Sequence, residues 1–99
     1  MSAAQTIDVA CRPTDGGWTC DVRVGDDPGA TRHEVTVEAS VLERLAPGAV
    51  DPAALVRASF AFLLEREPRE SILRRFDLSV IGRYFPEYER EIVRRRASG

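Results

Sequence analysis

Lysine is absent from this 99-residue chain, histidine occurs once, and cysteine occurs twice. A histidine-pair active site is excluded at once. A zinc site takes about four ligands, and the only set on offer is Cys11, Cys20 and His33 with one carboxylate. There is no glycine-rich phosphate loop of the GxxxxGKS or GxGxxG kind. No apolar run approaches the ~18 residues that a membrane span requires. The opening "MSAAQTIDVACRP" has neither the basic segment nor the apolar run of a signal peptide. These absences predict a cytoplasmic, non-membrane protein in which Cys11 and Cys20 are reduced thiols.

Charge of one sign is also missing. Fourteen basic residues, all arginine, stand against 16 acidic ones and leave a net charge of −2. No global field draws the chain toward nucleic acid or an anionic membrane. The exclusive use of arginine reads as a compositional bias of the source genome and is not in itself a sign of phosphate binding. With 43% hydrophobic residues the chain can build one modest core, so a single domain over 1–99 is expected.

What is present is a change of period along the chain. Ile7, Val9 and Cys11 alternate with polar or small residues, as do Trp18, Cys20, Val22 and Val24. The intervening "PTDGG" favours a tight turn, so the two runs predict a hairpin. If Cys11 faces Cys20, then Val9 meets Val22 and Ile7 meets Val24, and all the apolar side chains share one face. After "GDDPGA", His33, Val35 and Val37 alternate in a third strand. The segment 6–38 is therefore predicted to be a three-stranded antiparallel meander with a polar outer face, covered by helices on one side only.

From Ser40 the spacing is helical. Ser40 and Glu43 fit a capping box ahead of "VLERLAPG", with Pro47 and Gly48 as the stop. Asp51 is predicted to cap a second helix with Pro52 in its first turn. On that helix Val56, Phe60, Leu63 and Leu64 form one stripe, while Leu55 and Phe62 lie on another side. A helix apolar nearly all round needs two covers. The sheet supplies one, and three further helices are predicted to supply the other: "RESILRRF", then "LSVIGRYF" capped by Asp77, then "PEYEREIVRRR" opened by Pro86. The fold class predicted is α+β, with a three-stranded antiparallel meander followed by four to five short helices over 40–96 packed on one face.

Chemistry-bearing groups are few. Cys11, Cys20 and His33 fall on the core face of the sheet, where cysteine behaves as a small apolar residue and a reactive thiolate finds neither exposure nor a positive setting. No catalytic, cofactor-binding or metal-ligating residue is assigned. Arg69, Arg74, Arg75, Arg83, Arg90, Arg94, Arg95 and Arg96 crowd the last third of the chain, and two short helices meeting at Phe76 and Asp77 have the outline of a helix-turn-helix. The second of these offers only Ser79, Gly82 and Arg83 on its polar face, too little for reading bases. The terminal arginines follow Glu87, Glu89 and Glu91, the order that complements a helix dipole.

The run "ASFAFLLEREPRESILRRFDLSVIGRYFPEYEREI", residues 58–92, resembles the C-terminal half of small bacterial proteins of unestablished function from high-GC genomes. That resemblance implies no activity and no site residue. Strands followed by helices are similar in element order to small antitoxin domains. The leading expectation is a non-enzymatic interaction or scaffolding module with a protein partner or a second copy of itself. The apolar residues after position 71 exceed what one helix flank needs, which places a two-fold contact around Val80, Arg83, Tyr84 and Tyr88. The alternatives are a nucleic-acid-binding or antitoxin-like accessory and a small-ligand binder using a pocket between sheet and helices.

Overall fold

Alternation at period two produces three long strands, β1 (Ile7–Thr14), β2 (Gly17–Val24) and β3 (Thr31–Glu38), in a computed structural model that describes residues 5–98, with side chains as far as residue 95. β1 and β2 pair antiparallel with Ile7 opposite Val24, Val9 opposite Val22 and Cys11 opposite Cys20, the register that places every apolar side chain on one face. Cys20, Val22, Val24, Val35 and Val37 are buried on that face together with His33. At the start of β2 the backbone comes so close to β3 that a Cβ on Gly17 would lie 2.1 Å from the Val37 carbonyl oxygen, so the position admits only glycine.

The sheet has a fourth strand that periodicity did not reveal. β4 (Arg75–Asp77) lies beside β3 and runs parallel to it, giving a mixed sheet of order β1-β2-β3-β4. The helix predicted over "RESILRRF" shrinks to a single 3-10 turn, Arg69–Ser71. The cause is tertiary. Glu34 N–H donates to the Arg74 carbonyl at 2.7 Å and Leu78 N–H to the Thr36 carbonyl at 2.9 Å, and Ile72 is buried. These contacts draw the segment out straight against β3, and a three-residue strand is too short to announce itself by alternation.

Four helices complete the chain: α1 (Ala39–Leu45), α2 (Ala53–Leu64), α3 (Val80–Tyr84) and α4 (Tyr88–Ser98). The capping box at Ser40 does not form. β3 runs directly into α1, so Glu38 occupies the cap position without a side-chain bond and the Ala39 N–H donates instead to the Gly16 carbonyl at 2.9 Å. Asp51 does cap α2, its Oδ1 accepting the Ala53 N–H at 2.9 Å. Asp77 holds the turn that enters α3, accepting from the Ser79 backbone N–H and hydroxyl and from the Thr36 hydroxyl.

α2 is buried on two sides, as its nearly continuous apolar surface requires. Phe60, fully buried, packs its ring against His33 at 5.2 Å and Phe76 at 6.0 Å on the sheet side. Phe62 meets Tyr88 at 5.3 Å and Phe85 at 5.9 Å, both edge-on, on the helix side.

The two cysteines are not free thiols. Cys11 and Cys20 form a disulfide with their Cα atoms 4.0 Å apart. The register that aligned the apolar side chains also sets the two sulfurs face to face, so the bond is the direct product of the pairing. The chain ends, 1–5 and 96–99, where fraying is expected from the sequence, lie outside the described residues apart from Gln5 and the helical backbone of 96–98.

Candidate functional site

Pro68 releases the chain from α2, and the stretch that follows descends along the sheet edge before turning into α3. Between this stretch and α3 lies a groove of about 270 Å³ lined by Leu63, Leu73, Phe76, Val80, Tyr84 and neighbouring residues. Val80 and Tyr84 stand one helical turn apart and therefore share a face. Tyr84 is 69% exposed and Leu73 50% exposed, large apolar areas left uncovered, whereas every other aromatic ring is buried or half-buried. Arg83 on α3 is exposed and Glu67 lines the groove. Neither forms a salt bridge among the described residues.

Of the four residues expected at an interface, three lie at or beside this groove and one does not. Val80, Arg83 and Tyr84 lie at or beside the groove. Tyr88 is fully buried, its hydroxyl 2.6 Å from the Ser59 hydroxyl beneath α2, and burial pushes its phenol up to about 12. It is core, because α4 turns inward to cover Phe62. Leu73 and Phe76 reach the groove only because their segment is extended, so a helical reading could not place them there.

Several of the arginines are spent inside the fold. Arg66 lies 3.6 Å from the centre of the Phe62 ring and donates to the Phe62 carbonyl and to Glu87. Arg95 bridges Glu65 at 2.7 Å and Glu91 at 3.4 Å, tying the end of α2 to α4. Hydrogen bonds from Arg95 and Arg66 hold the Glu65 carboxyl below the ordinary glutamate range. Arg94 pairs with Glu91, and Arg44 with Glu89. Arg69 reaches Asp27 at 3.2 Å and sits where a Cβ on Gly25 or Gly29 would collide with its guanidinium. It clamps the β2–β3 loop to the 3-10 turn. The side chain of Arg96 lies outside the described residues.

A second hollow, about 740 Å³, opens on the sheet face away from the helices and is lined by Asp8, Ala10, Asp21, Arg23, Arg32 and Glu34, with Arg57, Arg74 and Arg75 among the others. Arg23 stands directly opposite Arg32, and Asp21 opposite Glu34. No sequence motif pointed to this cluster. The signal was positional: Arg23 and Arg32 are equidistant from the β2–β3 loop and so must face each other in an antiparallel pair.

The sole histidine is structural. The His33 Nδ1–H donates to the Leu73 carbonyl at 2.8 Å and Nε2 accepts from the Thr31 hydroxyl at 2.9 Å, a neutral ring satisfied on both sides. With the Cys11 and Cys20 sulfurs bonded to each other, the metal set considered from the sequence loses two of its ligands. No helix among the described residues is long and apolar enough to cross a membrane.

Comparison with known proteins finds no matching family model, no matching curated protein and no matching solved structure.

Proposed function

We propose that this chain is a non-enzymatic interaction module that self-associates as a two-fold dimer through the groove between β4 and α3. The observation that carries the reading is the pair of large apolar side chains, Tyr84 and Leu73, standing exposed on either side of an apolar groove. A second copy suits this surface in charge as well as in shape. In a two-fold contact residue i meets j while j meets i. Arg83 of one protomer would meet Glu67 of the other twice over, supplying partners to two groups that have no salt bridge among the described residues. Aromatic residues with arginine at the rim are the composition such interfaces favour.

Sedimentation equilibrium at micromolar protein tests the proposal. A dimer of the 11.0 kDa chain is expected for the wild type, and Tyr84→Glu should yield a folded monomer. A wild type that sediments as monomer throughout would overturn it.

The kinship with small high-GC bacterial proteins and the cytoplasmic setting belong to the same proposal. A cytoplasmic protein would hold the Cys11–Cys20 bond only transiently. Alkylation of thiols in intact cells decides this point, with two alkylated cysteines supporting the cytoplasm and two protected ones an oxidising compartment.

A further inference from the structure

The open face of the sheet carries a charge conflict that the fold does not resolve. Two like-charged pairs face each other across β2 and β3, and they differ in one respect. The acidic pair is neutralised, since Asp21 is bridged by Arg12 at 2.9 Å and Glu34 lies 3.9 Å from Arg75. Of the basic pair, Arg23 has Asp8 opposite it on β1 but forms no salt bridge with it among the described residues, and Arg32 faces only Arg23 across the β2–β3 pair. Among the described residues neither the Arg23 nor the Arg32 side chain has a hydrogen bond or an ion pair, although like charges directly opposite each other destabilise a strand pair. Arg57 from α2 lines the same hollow with its Nε turned to the Ile7 carbonyl at 3.3 Å, and Arg74 lines it with no ion pair among the described residues.

Guanidiniums from the sheet, from α2 and from the approach to β4 therefore line one basin, five against three carboxylates; one of the five, Arg75, lies beside Glu34, and Asp21 is bridged by Arg12 from outside the set. This local excess of positive charge belongs to a chain whose net charge is −2. Local conflicts of this kind concentrate at functional or strained sites.

We propose that the basin binds a small multivalent phosphate, with Arg23 and Arg32 clamping its phosphoryl oxygens from the two strands. The planar fork of arginine donates two parallel N–H bonds to one oxyanion, and two facing forks match a chain of phosphates better than a lone carboxylate. The volume lies within the roughly 300–1,000 Å³ usual for small-molecule sites. Among the described residues no Phe, Tyr or Trp lines the basin, so these supply no stacking platform of the kind single-stranded nucleic acid uses. This site is on the opposite side of the sheet from the helices and is independent of the dimer groove.

Isothermal titration of inorganic triphosphate and of ATP into the full chain, at about 50 mM salt, tests the site. One-to-one binding is expected. Arg23→Gln with Arg32→Gln should weaken it by about tenfold or more while urea melts show the variant at least as stable as wild type. Arg44→Gln with Arg90→Gln, which removes charge outside both the basin and the dimer groove, should leave binding unchanged. Stronger binding of ATP would identify a nucleotide as the source of the phosphates, and equal binding a polyphosphate. Should the double variant fail to fold, Arg74→Gln alone is expected to weaken binding measurably. The proposal fails if triphosphate gives no binding at millimolar concentration, if both double variants weaken it equally, or if a short single-stranded DNA binds where triphosphate does not.

Discussion

At the scale of single residues, the buried polar groups are the most informative. His33 is held neutral first by burial and next opposed by its bond to the Leu73 carbonyl, with the nearby Arg74 charge again favouring neutrality; the balance puts its pKa below the ordinary 6.5. Because the folded protein resists protonating this ring and the unfolded chain does not, the contribution to stability is complete above pH 6.5 and is lost as pH falls through the lower, folded value. Urea melts should therefore show stability declining below pH 6.5 before the carboxylates titrate. The Cε1 proton of His33 should titrate with a midpoint under 6.5, and a midpoint above it would contradict the neutral, doubly bonded ring. Asp77 works in the acid range. Burial raises its carboxyl, but the bonds from Ser79 and Thr36 outweigh burial and leave it below the ordinary 3.8, so its contribution persists above that pH and fades beneath it. Sequence alone disclosed both residues but not their partners. His33 was legible as a core-facing position in an alternating strand, whereas the carbonyl it binds belongs to a segment 40 residues away.

At the scale of elements, what could be read in advance was what is local. The β1–β2 register followed from period two and a turn-rich linker, and the same register aligned Cys11 with Cys20. Spacing does not encode redox state, which is why the expected thiols turned out to be a bond. The disulfide spans a separation of nine residues. Closing so short a loop restricts the unfolded chain by only about 2–3 kcal/mol. Urea melts with and without a thiol reductant should differ by about that amount, and a Cys11→Ala, Cys20→Ala variant should lose the dependence on reductant. β4 was illegible because its three residues are held in line by β3 and by the burial of Ile72, neither of which leaves a periodic trace. Helix α2 was legible, because its stripe of Val56, Phe60 and Leu63 persists over several turns and all three are buried. Phe60 fills the space between His33 and Phe76, and Phe60→Ala should cost about 3–5 kcal/mol in chemical denaturation, the range for a buried ring replaced by a cavity. A loss under about 1 kcal/mol would mean that the sheet and α2 can close over the gap.

At the scale of the whole molecule, the two faces of the sheet have opposite relations to the solvent, and each leaves one conflict unsettled. The helical side spends its aromatic residues on α2 and its arginines on glutamates, yet leaves Tyr84 and Leu73 uncovered at the groove. The open side neutralises its facing carboxylates but not Arg23 and Arg32. The sequence showed an apolar surplus in the last third without showing which members of it would be absorbed. Tyr88 and Ile92 went to the core because α4 folds back onto Phe62, and that leaves α3 as the exposed remnant. If that remnant is a dimer contact, folding and association are linked, and the melting temperature must rise with protein concentration as mass action favours the bound state. Thermal melts of the wild type over a hundredfold range around micromolar concentration should show that rise, roughly the effect of up to about 3 kcal/mol of linked binding free energy. Tyr84→Glu should remove the concentration dependence while leaving the low-concentration melting temperature near that of the wild type, since a side chain already 69% exposed contributes little to the monomer. A wild-type melting temperature independent of concentration would assign Tyr84 and Leu73 to the solvated surface of a monomer.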